Sequence, residues 1–180
     1  MVMVVRPDKF EEIALPHLQA AYNLARWLTR NEKDAEDVVQ EAYLRAYKHF
    51  GTFCAVDARP WLLAIVRNTY RTWIHRNRFT QLELTLDDET FQHPQSDDPE
   101  MLLLKEVDKQ ILRKALRRLP IEFLEVIVLR EFEQMSYKQI SEVVEIPLGT
   151  VMSRLARARR RLAELVSNCH HQATSAELVV

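Results

Sequence analysis

Glycine, cysteine and long apolar runs are all scarce in this chain of 180 residues. Only two glycines occur, so tight hairpin turns and glycine-rich phosphate loops lack the residue they need. Two cysteines cannot form a disulfide framework. No apolar run approaches the roughly 20 residues that a membrane-spanning helix needs, and charged residues follow the first few apolar ones, unlike a signal peptide. These absences favour a soluble, cytoplasmic protein.

Apolar residues make up 47% of the chain and charged residues 28%, which is enough to bury a core and keep a solvated surface. The apolar positions recur at the spacing of an α-helix, and no stretch alternates apolar and polar residues for long. The sequence therefore predicts an all-α fold.

Charge is distributed unevenly along a chain whose formal net charge is only −1. Residues 59–78 and residues 146–162 each contain five arginines and no acid, whereas residues 80–100 contain seven acids and neither Lys nor Arg. The acidic stretch has poor periodicity and carries prolines, which is typical of a flexible linker. The predicted organisation is a helical domain at 1–79, the linker at 80–100, a second helical domain at 101–167, and a disordered tail at 168–180.

The arginine-rich segment 146–162 belongs to a predicted helix-turn-helix. Ser136 and Gln139 form a capping-box pattern that begins a first helix, Pro147 ends or redirects it, and a second helix follows. One side of the second helix is apolar and the other is polar and basic. The polar side consists of Thr150, Ser153, Arg154, Arg157, Arg160 and Arg161. Such a helix enters the major groove of duplex DNA; a solvated basic helix in an ordinary bundle is the alternative.

Residues 34–50 predict another amphipathic helix, with Asp34 as its N-cap. Its apolar side is regular, and a second stripe lies away from it. That stripe consists of Asp37, Gln40, Glu41, Leu44 and Lys48. An exposed leucine inside an acidic and polar stripe suits a protein partner, although spacing alone favours a solvated face.

Residues 59–79 predict a helix with a continuous basic stripe opposite its apolar side. The stripe consists of Arg67, Asn68, Arg71, His75 and Arg78, with Arg59 and Trp61 near the start of the helix. Basic residues interleaved with aromatic rings suit single-stranded nucleic acid, whose bases stack on rings while its phosphates pair with cations. Trp73 is expected in the core, and for Trp61 a core role and a base-stacking role are equally compatible with its position.

Three segments, in this order, resemble bacterial sigma factors of the extracytoplasmic-function class: "DAEDVVQEAYLRAYKHF", "RPWLLAIVRN" and "SYKQISEVVEIPLGTVMSRLARARRRL". The resemblance covers about residues 10–165, and "PLGTV" followed by Ser-Arg-Leu is its most specific part. It implies two helical domains, regions 2 and 4, joined by a flexible linker. It also implies a transcription initiation factor that binds core RNA polymerase, recognises −35 and −10 promoter elements and helps to melt DNA.

The resemblance assigns roles to the patterns described above. It implies that the stripe on 34–50 faces the clamp helices of the largest polymerase subunit, with the flap of the second-largest subunit as a further contact. The stripe on 59–78 and the loop 51–58 would bind the −10 element, and the helix from Thr150 would enter the major groove of the −35 element. It implies no cofactor, no metal and no small-molecule substrate. The family often has an anti-sigma factor, frequently membrane-bound, which would hold the chain at the inner membrane.

Four positions depart from the pattern of the family. Members often carry Arg where this chain has Ala64, Asp at Thr72, Gly at Glu145 and a basic residue at Met152. Met152 implies one phosphate contact fewer at the −35 element. Ala64 and Thr72 leave the −10 preference open.

Three alternative functions remain compatible with the sequence alone. A stand-alone helix-turn-helix regulator would bind duplex DNA without polymerase, usually as a dimer, and the sequence offers no further dimerisation helix after Val166. A sigma mimic that titrates an anti-sigma factor would lack the basic recognition face, which this chain has. An enzyme or a metal protein would need a second cluster beside Cys169, His170 and His171, and none is evident, so no catalytic or metal site is predicted.

Overall fold

A computed structural model describes residues 9–53, 57–77 and 99–177. Within these ranges the chain forms eight α-helices and no β-strand, which confirms the all-α prediction. The helices are α1 (Phe10–Ala14), α2 (Leu18–Thr29), α3 (Glu32–His49), α4 (Ala58–Asn77), α5 (Pro99–Arg117), α6 (Ile121–Ile127), α7 (Tyr137–Val144) and α8 (Leu148–Glu177). Short 3-10 turns at Leu15–His17 and Phe50–Thr52 and a π-helical turn at Val128–Phe132 join some of them. No described helix combines the length and apolarity needed to cross a membrane.

Helices α1 to α4 form the first unit, which we call the N-terminal unit. The apolar side of α3 predicted from its spacing is buried as expected, at Ala35, Val38, Val39, Ala42 and Ala46. The predicted N-cap of α3 was wrong. The cap is Asn31, which has extended backbone and whose side-chain oxygen accepts the backbone N–H of Asp34 at 3.1 Å. Asp34 therefore lies in the first turn, where the helix dipole favours its negative charge.

Helices α5 to α8 form the second unit, which we call the C-terminal unit. The predicted capping box of Ser136 and Gln139 is present, with both reciprocal hydrogen bonds, and it begins α7. Glu145 ends α7 in the left-handed region, with φ of 56°. Helix α8 then begins at Leu148, two residues earlier than the predicted start at Thr150, because the carbonyl of Pro147 already accepts the N–H groups of Thr150 and Val151. The two helices form the predicted helix-turn-helix.

Helix α8 also extends beyond the predicted end of the domain. It continues to Glu177, so the expectation of a disordered tail is wrong for residues 168–177. Neither Gly nor Pro interrupts this stretch, and Leu165 and Cys169 remain buried within the C-terminal unit. Helix α5 includes Pro99 and Glu100, which were assigned to the linker. The rest of the predicted linker and residues 178–180 lie outside the described residues.

The two units pack directly against each other. Helices α2 and α4 of the N-terminal unit contact α6 and α7 of the C-terminal unit. One continuous cluster of buried side chains includes Leu24, Leu63 and Val66 on one side and Leu116 and Leu124 on the other. The sequence predicted two units on a tether, and only the packing of their side chains placed them face to face.

Candidate nucleic-acid and protein interfaces

The polar stripe on α3 is open to solvent. Asp37, Gln40 and Lys48 are exposed, and Leu44 at its centre is 63% exposed. Glu41 is half-buried because it pairs with Arg45 one turn along α3 and with Arg76 of α4. Burial, together with the negative charge of Asp37, raises the pKa of the neighbouring Asp34 carboxyl. The stripe is therefore an acidic surface around an exposed leucine.

Tyr47 extends this surface and was missed from the sequence. It is 55% exposed, although one edge of its ring packs against Phe10 at a centroid distance of 5.4 Å. Its spacing of three residues from Leu44 was the available signal, because residues three apart share a helix face. Leu44 and Tyr47 together give the polar stripe an apolar centre, which suits a protein partner better than solvent.

The basic stripe on α4 divides into an open half and a covered half. Arg71 and His75 are exposed, whereas Arg67 is only 5% exposed and Arg59 is half-buried. Asn68 is exposed but already holds a hydrogen bond to the C-terminal unit. Arg78 lies outside the described residues. The C-terminal unit thus covers the half of the stripe nearest the start of α4.

The tryptophans of α4 have different environments. Trp73 is half-buried, packs against the main core and lies beside Tyr70 with near-parallel rings, so its expected core role is supported. Trp61 is also half-buried, with its ring centroid 4.7 Å from that of Phe53 and 6.4 Å from that of Phe50. Trp61 therefore contributes to local packing while part of it remains at the surface.

The basic face predicted for α8 is present. Val151, Leu155 and Ala158 are buried, and Ser153, Arg157, Arg160 and Arg161 are exposed with Thr150 half-buried. Arg159 lies off this face and pairs with Glu131 through two guanidinium nitrogens at 3.2 and 2.7 Å. The hydrogen bond that Arg159 donates to Glu131 raises the pKa of Arg159. Most of the predicted DNA-reading groups are consequently accessible.

Glu125 of α6 joins the two arginine-rich faces. Its carboxylate accepts hydrogen bonds from Arg67 of α4, at 2.8 Å from Nε and 3.3 Å from Nη2. It also accepts one from Nη1 of Arg154 on α8, at 3.3 Å. Glu125 is 6% exposed. Glu125 was missed from the sequence, although a charge within the apolar run "FLEVIVL" requires a buried partner.

Two more glutamates of the C-terminal unit meet the covered half of the α4 stripe. Glu133, which is 4% exposed, pairs with Arg59 and accepts a hydrogen bond from Asn23 at 3.3 Å. The side chain of Glu145 accepts a hydrogen bond from Asn68 at 3.3 Å. Three residues predicted to bind single-stranded DNA therefore each contact a glutamate of the C-terminal unit. They are Arg59, Arg67 and Asn68.

No group of three or more His, Cys, Asp or Glu residues arranged to hold a metal ion occurs within the described ranges. Cys169 is buried beside Arg118. The side chains of His170 and His171, which complete the metal-like fragment of the sequence, are outside what the structure describes.

Comparisons with known proteins agree with this architecture. The family profile described as Sigma-70 region 2 matches residues 13–80, and the profile described as Sigma-70, region 4 matches residues 109–162. The first profile spans helices α2 to α4, and the second spans most of the C-terminal unit with its helix-turn-helix.

Curated relatives match over most of the chain. It is 31% identical to the RNA polymerase sigma-H factor of Pseudomonas aeruginosa, over 88% of this chain and 88% of that protein. It is 32% identical to the ECF RNA polymerase sigma-E factor of Escherichia coli, over 89% of this chain and 91% of that protein. The match to the ECF RNA polymerase sigma factor SigE of Mycolicibacterium smegmatis, at 28% identity, covers 88% of this chain but 62% of that protein.

Solved structures give the same result. The sigma factor RpoE of Bartonella quintana, crystallised with the anti-sigma factor NepR, matches with a TM-score of 0.72 and 26% identity, over 89% of this chain and 98% of that one. CnrH, solved in complex with the cytosolic domain of CnrY, matches with a TM-score of 0.64 and 25% identity, over 91% and 90%.

Proposed function

Because this chain belongs to the extracytoplasmic-function sigma factors of the sigma-70 family, whose role is transcription initiation, we propose that it binds core RNA polymerase and directs it to promoters with specific −35 and −10 elements. The observation that carries this proposal is the presence, on separate units of one chain, of an exposed polar stripe with an apolar centre on α3 and an exposed arginine-rich face on the second helix of a helix-turn-helix. A stand-alone DNA-binding regulator needs only the arginine-rich helix.

The α3 stripe is the polymerase-docking surface. Leu44 and Tyr47 supply exposed apolar contacts, and Asp37 and Glu41 supply charge at the edge. Buried apolar contacts give most of the affinity of a protein interface, whereas charges at its rim mainly select the partner. The clamp helices of the largest subunit are the proposed partner of this stripe, and the flap of the second-largest subunit is the proposed partner of the C-terminal unit.

Helix α8 reads the −35 element in the major groove. Ser153, Arg154 and Arg157 occupy its first turns, which approach base edges in a helix-turn-helix. Arginine forms bidentate hydrogen bonds with guanine there. Arg160 and Arg161 lie further along, where the helix leaves the groove, and contact phosphates. Met152 is 52% exposed on this helix and offers no cation.

Helix α4 holds the unpaired −10 strand. Arg71 and His75 are exposed, and Arg59, Arg67 and Asn68 continue the stripe toward the start of the helix. Trp61 provides an aromatic surface on which an unstacked base can stack, a contact worth roughly 1–3 kcal/mol. Binding of unpaired bases by α4 promotes DNA melting, because a surface that binds only unpaired bases stabilises the separated strands.

The remaining parts of the proposal concern organisation and regulation. Residues 1–79 act as the region 2 domain and residues 101–167 as the region 4 domain, and the chain works in the cytoplasm as a non-enzymatic factor. The matched RpoE and CnrH structures contain an anti-sigma factor and a cytosolic partner domain, respectively. An anti-sigma factor, membrane-bound in many family members, is therefore a proposed partner of this chain too.

Run-off transcription with purified bacterial core polymerase tests the proposal. The template is the DNA upstream of the gene for this chain, and the expected result is a discrete transcript that requires the chain. A double Arg154→Ala and Arg157→Ala variant serves as the control, because it retains the α3 stripe and should bind polymerase without starting transcription. Duplex binding by the isolated chain without any polymerase-dependent transcript would instead indicate a stand-alone regulator.

A further inference from the structure

Beside its arginines, the first half of α8 carries exposed apolar residues. They are Leu148, Met152 and Ala156, and we call them the apolar strip. We propose that the apolar strip recognises thymine in the −35 element, by contact with the C5-methyl groups that thymine presents in the major groove. The inference rests on the proposed function, because it assumes that α8 enters that groove. It adds a second kind of base to the guanines assigned to the arginines.

The apolar strip is continuous along the outer side of the helix. Its members are four residues apart, so each lies about 40° around α8 and about 6 Å along it from the one before. Leu148 is 48% exposed and Met152 is 52% exposed, whereas Val151 and Leu155 beside them are buried. The strip therefore does not belong to the side of α8 that forms the core.

The strip leads directly into the DNA-binding face. The next position in the same series, four residues after Ala156, is Arg160, which is exposed and is proposed to contact a phosphate. Arg159 falls on the same side of the helix as Leu148, but its guanidinium is paired with Glu131 at 2.7 and 3.2 Å. The outer side of α8 consequently has a basic part and an adjoining apolar part, and a groove that meets the first also meets the second.

Gly149 leaves room for close approach next to the strip. No described atom lies within 4 Å of the place where a Cβ on Gly149 would stand, and its φ is not positive. Neither packing within the described part of the chain nor backbone conformation therefore requires glycine here. Glycine destabilises a helix relative to alanine, but it allows another molecule to come close to the backbone. The edges of bases in the major groove are such a molecule.

Thymine is the base that an apolar side chain can identify in the major groove. It presents a C5-methyl group there, whereas guanine, adenine and cytosine present hydrogen-bonding groups. An apolar side chain leaves those groups unpaired, which disfavours the other bases. Methionine is unbranched and flexible, so Met152 can adjust to the position of a methyl group. Because Leu148 and Met152 are about 6 Å apart along the helix, they can meet thymines about two base pairs apart at 3.4 Å per pair.

Met152 gives α8 a contact that depends on sequence. A cation at this position, which is usual in the family, would contact a phosphate, and phosphate contacts do not distinguish bases. Methionine offers no charge for a phosphate but does offer apolar surface for a methyl group. Removal of one methyl group from water corresponds to about fourfold in affinity. The −35 element of this chain should accordingly contain A·T pairs whose thymine methyl groups face the strip.

Replacement of thymine by deoxyuridine tests the proposal, because it removes only the C5-methyl group and keeps base pairing. The probes are duplexes of the chain's own upstream DNA with thymine or deoxyuridine throughout the −35 element, which is located from the start of the run-off transcript. Holoenzyme made from the full chain and core polymerase should bind the deoxyuridine duplex about four- to sixteenfold more weakly, for one or two contacted methyl groups. Equal affinity for the two duplexes, or an element without any A·T pair, would overturn the proposal.

A double variant identifies the side chains that meet the methyl groups. Leu148→Ala with Met152→Ala shortens the strip and favours the helix. This variant should bind the thymine duplex about four- to sixteenfold more weakly than wild type and should bind both duplexes within about twofold. Leu15→Ala with Leu18→Ala is the matched control, because these leucines are 51% and 43% exposed in the N-terminal unit, and it should keep the full dependence on methyl groups.

Three contrary results have different meanings. If deoxyuridine weakens binding equally in wild type and in the Leu148 and Met152 variant, the methyl groups act through the DNA alone and the proposal is overturned. If that variant binds core polymerase more weakly without DNA, the strip belongs to a protein interface and the proposal is again overturned. Absence of a transcript with wild type on the thymine template contradicts the sigma role itself, whereas a transcript together with equal affinity for both duplexes contradicts only the thymine contact.

Discussion

Arg154 and Arg160 lie on the same basic face of α8 but in different surroundings. Arg154 is half-buried and donates to Glu125, whereas Arg160 is exposed. Arg154 lies in the first two turns of the helix and Arg160 further along it. Position along a recognition helix separates residues that read bases from residues that hold phosphates.

Substitution of each arginine by alanine should therefore have a different effect on promoter binding by holoenzyme. Arg154→Ala should relax −35 preference and cost about 1–3 kcal/mol against the best site. Arg160→Ala should weaken binding to all sites alike. It should also reduce, by about one, the slope of log affinity against log salt concentration. The measurement is affinity across −35 variants and salt concentrations. If neither variant changes preference or slope, α8 is a solvated face.

The left-handed backbone of Glu145 lowers the stability of the fold, whereas its side-chain hydrogen bond with Asn68 raises it. Glu145→Gly should increase the free energy of unfolding by about 1 kcal/mol, because the left-handed conformation no longer strains a side chain. The hydrogen bond to Asn68 is at an exposed site, so its loss offsets little. Chemical denaturation measures the change. Glu142→Gly, inside α7 and also exposed, is the matched control and should destabilise by a similar amount; destabilisation by both would show that Glu145 is not strained.

At the scale of elements, the capping and periodicity of each helix decide which face it buries. The α7 capping box and the buried sides of α3 and α8 followed from residues within one or two turns of each other. Helix ends were less predictable. Asn and Asp are both good N-caps, so local sequence does not distinguish Asn31 from Asp34 at the start of α3. The polar composition of residues 168–177 predicts a disordered tail, whereas α8 continues through them.

The α3 stripe can be tested as an element. Leu44→Asp should reduce binding to core polymerase at least about tenfold, because it puts a charge into the apolar centre of the proposed interface. Since Leu44 is 63% exposed, the melting temperature should change little. Leu18→Asp provides the control, because Leu18 is an exposed leucine of α2 outside the stripe and should leave polymerase binding unchanged. Equal effects of both variants would rule out α3 as the docking surface.

At the scale of the whole molecule, the proposed function requires the two units to separate. The positions −35 and −10 are about 25 base pairs apart, which is about 85 Å of duplex DNA at 3.4 Å per base pair. Residues 78–98 connect the units and can span at most about 75 Å at 3.3–3.6 Å per residue. The connection is therefore long enough only when it is largely extended and the units themselves cover the remaining distance.

Deletion of residues 84–93 should abolish run-off transcription, because it shortens this reach by about 35 Å. Binding of core polymerase through α3 should persist. Replacement of the same residues by a Gly-Ser sequence of equal length is the control and should preserve transcription. Transcription by the deletion variant from the same promoter would show that the units need not separate so far.

The sequence alone determined the helical class, the helix-turn-helix and the arginine face of α8, because these depend on residues near each other in the chain. The exposed stripe on α3 followed for the same reason. Tertiary structure alone decided that Arg67 is buried, since its partner Glu125 is 58 positions away, and no local pattern encodes which distant carboxylate an arginine will meet. The contact of Arg59 with Glu133, 74 positions apart, has the same origin. A basic stripe that looks free in the sequence is therefore half covered in the folded chain, because folding brings buried carboxylates to it.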